Sequence, residues 1–139
     1  MKKKAIAVAL LAAMALTGCG SKAFTGEKTG EVVSAFGGKT IATVTFEEGN
    51  PVSVELDVKN DDGSLKSEAS KSGAYDLKNE PGKKWHEQAD LVEEALVENK
   101  FDISKIATND QGKTDAVSGV SISVKEFLDA TKAALDQAK

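Results

Sequence analysis

Hydrophobic and polar residues alternate with period two in the first half of this chain, then recur at helical spacing in the second. Residues 29–35 read as a short strand, and Gly37-Gly38 after it is a turn signal. In 39–46, Ile41, Thr43 and Thr45 fall on one side, with Ala42, Val44 and Phe46 on the other. Glu47-Glu48-Gly49-Asn50 has hairpin-loop composition. Val52, Val54, Leu56 and Val58 then alternate with Ser53, Glu55 and Asp57, and Asn60-Asp61-Asp62-Gly63 closes the segment. Three such stretches in succession predict an antiparallel meander with one buried face.

The period then changes. Residues 64–78 are polar, with Leu65, Ala69, Tyr75 and Leu77 as anchors, and read as a loose helix or an irregular crossing. Pro81-Gly82 breaks the chain. In 85–99, Trp85, Ala89, Val92, Ala95 and Leu96 mark one stripe of a helix. Residues 101–107 are a connector or short strand, and Asn109-Asp110-Gln111-Gly112 is a turn. Val124, Phe127, Leu128, Thr131, Ala134, Leu135 and Ala138 mark one face of a final helix. Ser123 and Glu126 have capping-box spacing, which predicts that this helix begins near Ser123. The fold class expected is α+β, a single domain in which an antiparallel sheet is packed by two main helices. No internal repeat is visible.

Ahead of this pattern stands a segment of another kind. Lys2, Lys3 and Lys4 precede an unbroken apolar run over 5–16, too short for a transmembrane helix and suited to the core of a secretory signal. Leu16-Thr17-Gly18-Cys19 follows, and it resembles the lipobox of bacterial lipoproteins, in which the Cys is lipidated and becomes the new N-terminus. The expected organisation is a signal peptide over 1–18, a lipidated tether over 19–28 and a folded domain over 29–139. The mature chain would sit on the outer face of the cell membrane, held by lipid on Cys19. The residues before Cys19 could also be trimmed to an apolar signalling peptide.

Composition narrows the chemistry. The 139 residues include one Cys, one His and no Arg, with a net charge of −4. A single Cys excludes a disulfide framework within the chain and any multi-cysteine zinc or iron–sulfur site. Without its three leader lysines the chain has 15 Lys against 22 acids, which argues against nucleic acid as a partner.

The stretch Asp115-Ala116-Val117-Ser118-Gly119-Val120-Ser121 lies just before the last helix. Small residues leave its backbone accessible, and the unpaired amides of a following helix favour an anion. A phosphate, or a phosphoester on Ser121 itself, would be stabilised there. On spacing alone, Ser121 and Ser123 read more readily as helix-cap residues than as an anion site.

The same stretch resembles the flavinylation signature of the FMN-binding domain family, Asp-x-x-Ser-Gly-Ala-Thr. Asp115, Ser118 and Gly119 match, Val120 replaces Ala, and Ser121 replaces Thr while keeping the hydroxyl. In that family a flavin transferase joins FMN through its phosphate to the last residue. Pro81 and Gly82 are similar to a Thr-Pro-Gly loop that approaches the flavin. The run 82–88 is similar to a helix start in flavinylated lipoproteins of Gram-positive extracellular electron transfer. The resemblance implies one FMN covalently linked to Ser121, with Asp115, Ser118, Gly119, Val120, Pro81 and Gly82 around it. It also implies an electron carrier, not an enzyme with its own substrate. A membrane quinol or NADH dehydrogenase would be the donor, and the acceptors would be extracellular.

Other residues have competing readings. Trp85 suits core packing more than flavin stacking, and His86 suits an exposed position more than a proton donor or metal ligand. Asp61-Asp62 suits a solvated turn more than a calcium site, and Tyr75 fits core or cofactor equally. Two non-enzymatic alternatives stand beside the carrier. One is a lipoprotein holding FMN or another phosphate ligand non-covalently; the other is an interaction protein in which Ser121 is a cap.

Overall fold

Strand β1 (Gly26–Val33), strand β2 (Lys39–Glu47) and strand β3 (Asn50–Lys59) form an antiparallel sheet in the order β1-β2-β3. These elements come from a computed structural model that describes residues 23–77 and 83–139. Helices α1 (Lys66–Ser72), α2 (Trp85–Glu98) and α3 (Lys125–Gln137) follow. The domain is α+β as the pattern predicts, with α1 added to the two main helices. Cys19, Pro81 and Gly82 lie outside the described residues, as do the leader and the start of the tether over 19–22.

β2 shows why the meander forms. Its side chains alternate strictly, so Thr40, Ala42, Val44 and Phe46 all reach the inner face. Val54, Leu56 and Val58 of β3 join them there. α3 covers β1 and β2, while α2 covers β3. Trp85 and Phe127 meet edge to face between the two helices, with ring centroids 5.8 Å apart. Full burial of each large apolar side chain contributes on the order of 2 kcal/mol, so this layer supplies most of the driving force.

The strands depart from the sequence pattern in two places. Gly26, Glu27 and Lys28, expected in the tether, pair with Phe46, Thr45 and Val44, so β1 starts three residues early. Phe24 packs on Phe46 at 5.9 Å, and its carbonyl accepts the Gly49 amide at 2.8 Å. Val52 does not share the inner face with Val54. A bulge in the pairing beside Thr45 and Phe46 sets Pro51 opposite Phe46 and leaves Val52 exposed.

α3 lies very close to β1 at one point. A Cβ on Gly30 would overlap the Ala130 carbonyl and stand 2.6 Å from the Ala134 nitrogen. Only glycine allows that approach. Residues 101–107 form a 3-10 turn at Ile103–Lys105 and not a strand. The Asp102 carboxylate accepts the Ser104 amide at 3.2 Å and its hydroxyl at 2.6 Å, which curls the chain locally.

Candidate functional site

The segment 113–124 crosses from the turn at Gly112 to α3 and runs past the start of α2. It has no regular structure, so side chains must hold it. Its main fastening is Gln88, in the first turns of α2 and fully buried. The Gln88 carboxamide oxygen accepts the amides of Ser121 at 2.7 Å and Ile122 at 3.1 Å. The Ser121 hydroxyl also donates to it, at 3.4 Å. The carboxamide nitrogen donates to the Lys83 carbonyl at 3.1 Å. One buried side chain thus joins the segment before α2 to the segment before α3.

Of the residues nominated with Ser121, Asp115, Ser118, Gly119 and Val120 lie on this segment. Ser121 and Val120 are half-buried, while Asp115 and Ser118 are exposed. Thr114 is buried, and its hydroxyl accepts the Ala116 amide at 3.0 Å, starting the turn that carries Asp115. Gly119 has φ +86°, a conformation that disfavours any side chain. A Cβ there would stand 3.1 Å from Lys83 Cε and 3.2 Å from Leu91 Cδ1. The Lys83 side chain therefore lies across the glycine, which brings an ammonium-bearing chain to the Ser118–Ser121 stretch.

The start of α3 offers an anion fewer free amides than the sequence suggests. α3 begins at Lys125, and Val124 is its N-cap without any side-chain cap. The amides of Val124 and Lys125 both donate to the Gly112 carbonyl, at 2.7 and 3.2 Å. The Ser123 hydroxyl donates to the same oxygen at 3.4 Å. Glu126 does not close a capping box, because its carboxylate turns to the sheet and accepts from Thr40 and Ala35. Backbone amides at 121, 122, 124 and 125 are thus already satisfied. Around Ser121 itself, the hydroxyls and the Lys83 side chain are what is left for a phosphate.

Trp85 is core, as its helical position suggested. His86 is not simply exposed. It is half-buried; its amide donates to the Ser70 hydroxyl at 3.1 Å, and its Nδ1 lies 2.9 Å from the same oxygen. Ser70 is fully buried, so this pair ties α1 to the first turn of α2 and leaves no accessible nucleophile. Tyr75 is half-buried with the Lys66 ammonium 4.5 Å from its ring centroid. Asp62 accepts the amide and hydroxyl of Ser64, at 2.9 and 2.6 Å, which holds its carboxyl below the usual range. No group of three His, Cys, Asp or Glu among the described residues is set to hold a metal ion. No described helix is long and apolar enough to cross a membrane.

Gln88 is the residue organising this segment that the sequence pattern missed. It follows Trp85 by three positions and precedes Val92 by four, so it stands on the apolar stripe of α2. A polar side chain on a buried stripe must find partners, and that is the signal that could have found it.

No protein-family model and no curated protein matches this chain. Among solved structures it is similar to a protein from Clostridium thermocellum determined by solution NMR in a structural-genomics programme. The two are 36% identical with a TM-score of 0.61, over 83% of this chain and 92% of the other. Shared sequence and fold over nearly the whole of both chains mean that this protein belongs to one family with the Clostridium thermocellum protein.

Proposed function

We propose that this protein is a lipid-anchored electron carrier outside the cell membrane, holding one FMN esterified through its phosphate to Ser121. The observation that carries this reading is the state of Ser121. Its amide is fastened by a buried carboxamide, while the residue itself is half-exposed beside Gly119 and the Lys83 side chain. The donor set fits a phosphodiester. A hydroxyl is available to form the bond, and a nearby ammonium can balance the remaining charge.

Forming the ester needs an activated flavin phosphate, a pyrophosphate such as a flavin dinucleotide. The Ser121 Oγ bonds to the flavin-side phosphorus, the pyrophosphate P–O bond breaks, and the nucleoside monophosphate leaves. The hydroxyl proton goes to a base of the transferase. Bound flavin supplies one- or two-electron exchange. The chain's own contribution is to fix the attachment point and the leash. A covalent link has a physical rationale outside the cell, where a dissociated cofactor is diluted away. The donor would be a membrane quinol or NADH dehydrogenase, and the acceptors would be extracellular.

The test is the intact mass of the full chain produced with a flavin transferase, beside Ser121→Ala. A gain of FMN less one water, absent in the variant, is the expected result. Unchanged mass with flavin retained through dialysis points to non-covalent carriage. Unchanged mass with no flavin absorbance overturns the reading.

A further inference from the structure

We infer that Gln88 is the positioning residue that presents Ser121 for esterification; the inference rests on the reading of Ser121 given above. Two successive amides, at 121 and 122, converge on the Gln88 carboxamide oxygen at 2.7 and 3.1 Å. Consecutive N–H groups facing one point form an anion-binding concavity. Here a neutral oxygen from the protein fills it, so an incoming phosphate cannot settle on the amides. It is left to the hydroxyl instead.

The same contact sets the direction of Ser121. With its amide turned inward to a side chain that is itself fully buried, the serine backbone is fixed. The hydroxyl keeps only a long 3.4 Å bond to the same oxygen, which an attacking geometry can give up at little cost. The other end of Gln88 donates to the Lys83 carbonyl, so the cation-bearing segment and the modified serine share one fastening. Loss of the carboxamide would release both. A misplacement of about 1 Å in a group-transfer step can lower its rate about a hundredfold.

The experiment follows flavin incorporation into the full chain over time by intact mass, with a flavin transferase and flavin dinucleotide. Wild type is compared with Gln88→Met, Gln88→Glu and Ser121→Ala. Met fills a similar volume with no polar group, while Glu keeps an oxygen acceptor for the two amides. Amide hydrogen exchange at 121 and 122 is read on the same samples without flavin. Far-UV circular dichroism reports the fold.

The expected result is a folded Gln88→Met chain with lost protection at 121 and 122 and incorporation slowed about tenfold or more. Gln88→Glu should keep the protection and run faster than Gln88→Met, although its carboxylate cannot donate to the Lys83 carbonyl. Wild-type incorporation by a folded Gln88→Met chain would overturn the positioning role while leaving the flavin reading intact. If Gln88→Met does not fold, Gln88→Glu decides. Retained protection with near-wild-type incorporation supports the role, and retained protection with incorporation as slow as Ser121→Ala overturns it. Absence of incorporation in wild type itself overturns the underlying reading, and the role falls with it.

Discussion

Glu126 Oε1 accepts a 2.7 Å hydrogen bond from the hydroxyl of Thr40, which joins the first turn of α3 to the buried face of β2. The second carboxylate oxygen accepts the Ala35 amide at 2.8 Å, just past the end of β1. One side chain therefore fixes the helix against both strands of the first hairpin. Burial pushes the Glu126 carboxyl up, but the Ala35 amide, the Thr40 and Ser34 hydroxyls and the Lys66 charge together bring it below the usual range. A carboxyl lowered on folding stabilises the native state above its unfolded value of 4.5, and that stability is lost as pH falls through the lower folded value.

Glu126→Ala should cost about 1–3 kcal/mol at pH 7, because it strands the Thr40 hydroxyl in the core without an acceptor. Glu126→Gln keeps one oxygen but turns a donor toward another donor, so an intermediate loss is expected. The gap between wild type and Glu126→Gln should close as pH is lowered through the folded value, where Glu126 also becomes neutral. Urea unfolding at a series of pH values checks both statements. A gap independent of pH would show that the charge of Glu126 contributes nothing.

The Glu126 contact also shows where the sequence was readable. The alternation in β2 and the stripes of α2 and α3 depend on local periodicity, and each fell where its pattern put it. The Ser123 and Glu126 spacing predicted a local capping box. A sheet 86 residues away in sequence competed for the same carboxylate and won, because a buried hydroxyl needs an acceptor more than an exposed amide does. Gln88 was hidden for the same reason. Its role is defined by two segments that meet it only in the folded chain. The motif over 115–121 was legible as residues, but the fastening that organises it was not. Val52 failed differently, since a bulge shifts the register of a strand without changing its composition.

Glu93 presents the opposite case. It lies on α2 and accepts the Leu56 amide from the outer edge of β3 at 2.8 Å. Burial pushes its carboxyl up to about 8, and Asp90, Glu55 and Asp57 add to the rise, while the Leu56 amide opposes it. A carboxyl raised on folding stabilises the native state fully below its unfolded value of 4.5 and loses that contribution as pH climbs through about 8. Glu93→Gln removes the charge and keeps the acceptor. The variant should match wild type near pH 4 and exceed it by on the order of 3 kcal/mol at pH 8. Thermal unfolding at the two pH values tests this, and equal melting temperatures at pH 8 would contradict it.

Gly30→Ala should be among the most damaging single-methyl additions in the domain. Its Cβ would meet backbone on α3, the Ala130 carbonyl and the Ala134 nitrogen, and backbone cannot rotate away as a side chain can. The helix would have to lift from β1, opening the layer that buries Ala130 and Ala134. A loss of about 2–3 kcal/mol is expected, the upper part of the range for overpacking. The control is Gly37→Ala in the exposed β1–β2 turn, where no atom lies within 4 Å of the added carbon. Its cost should come only from φ +102° and not from contact. Comparing the two denaturant midpoints separates steric from conformational cost.

Lys100 and Phe101 end α2 with two successive residues at positive φ, 56° and 62°. This turns the chain back sharply enough for the Phe101 amide to reach the Leu96 carbonyl at 2.7 Å and for its ring to enter the core. The left-handed region costs a non-glycine residue about 1 kcal/mol, and here the core contact of Phe101 offsets it twice over. Lys100 is exposed and gains nothing comparable from its side chain. Lys100→Gly should therefore raise stability by about 0.5–1 kcal/mol, the relief of strain exceeding the entropy of a freer unfolded chain. Phe101→Gly relieves the same strain yet should cost about 3 kcal/mol or more, because it empties the core site. Opposite signs for adjacent substitutions, read from urea midpoints, would establish that the turn is held by the Phe101 ring. A loss of stability in Lys100→Gly would mean that the lysine side chain, and not the ring alone, fastens this end of α2.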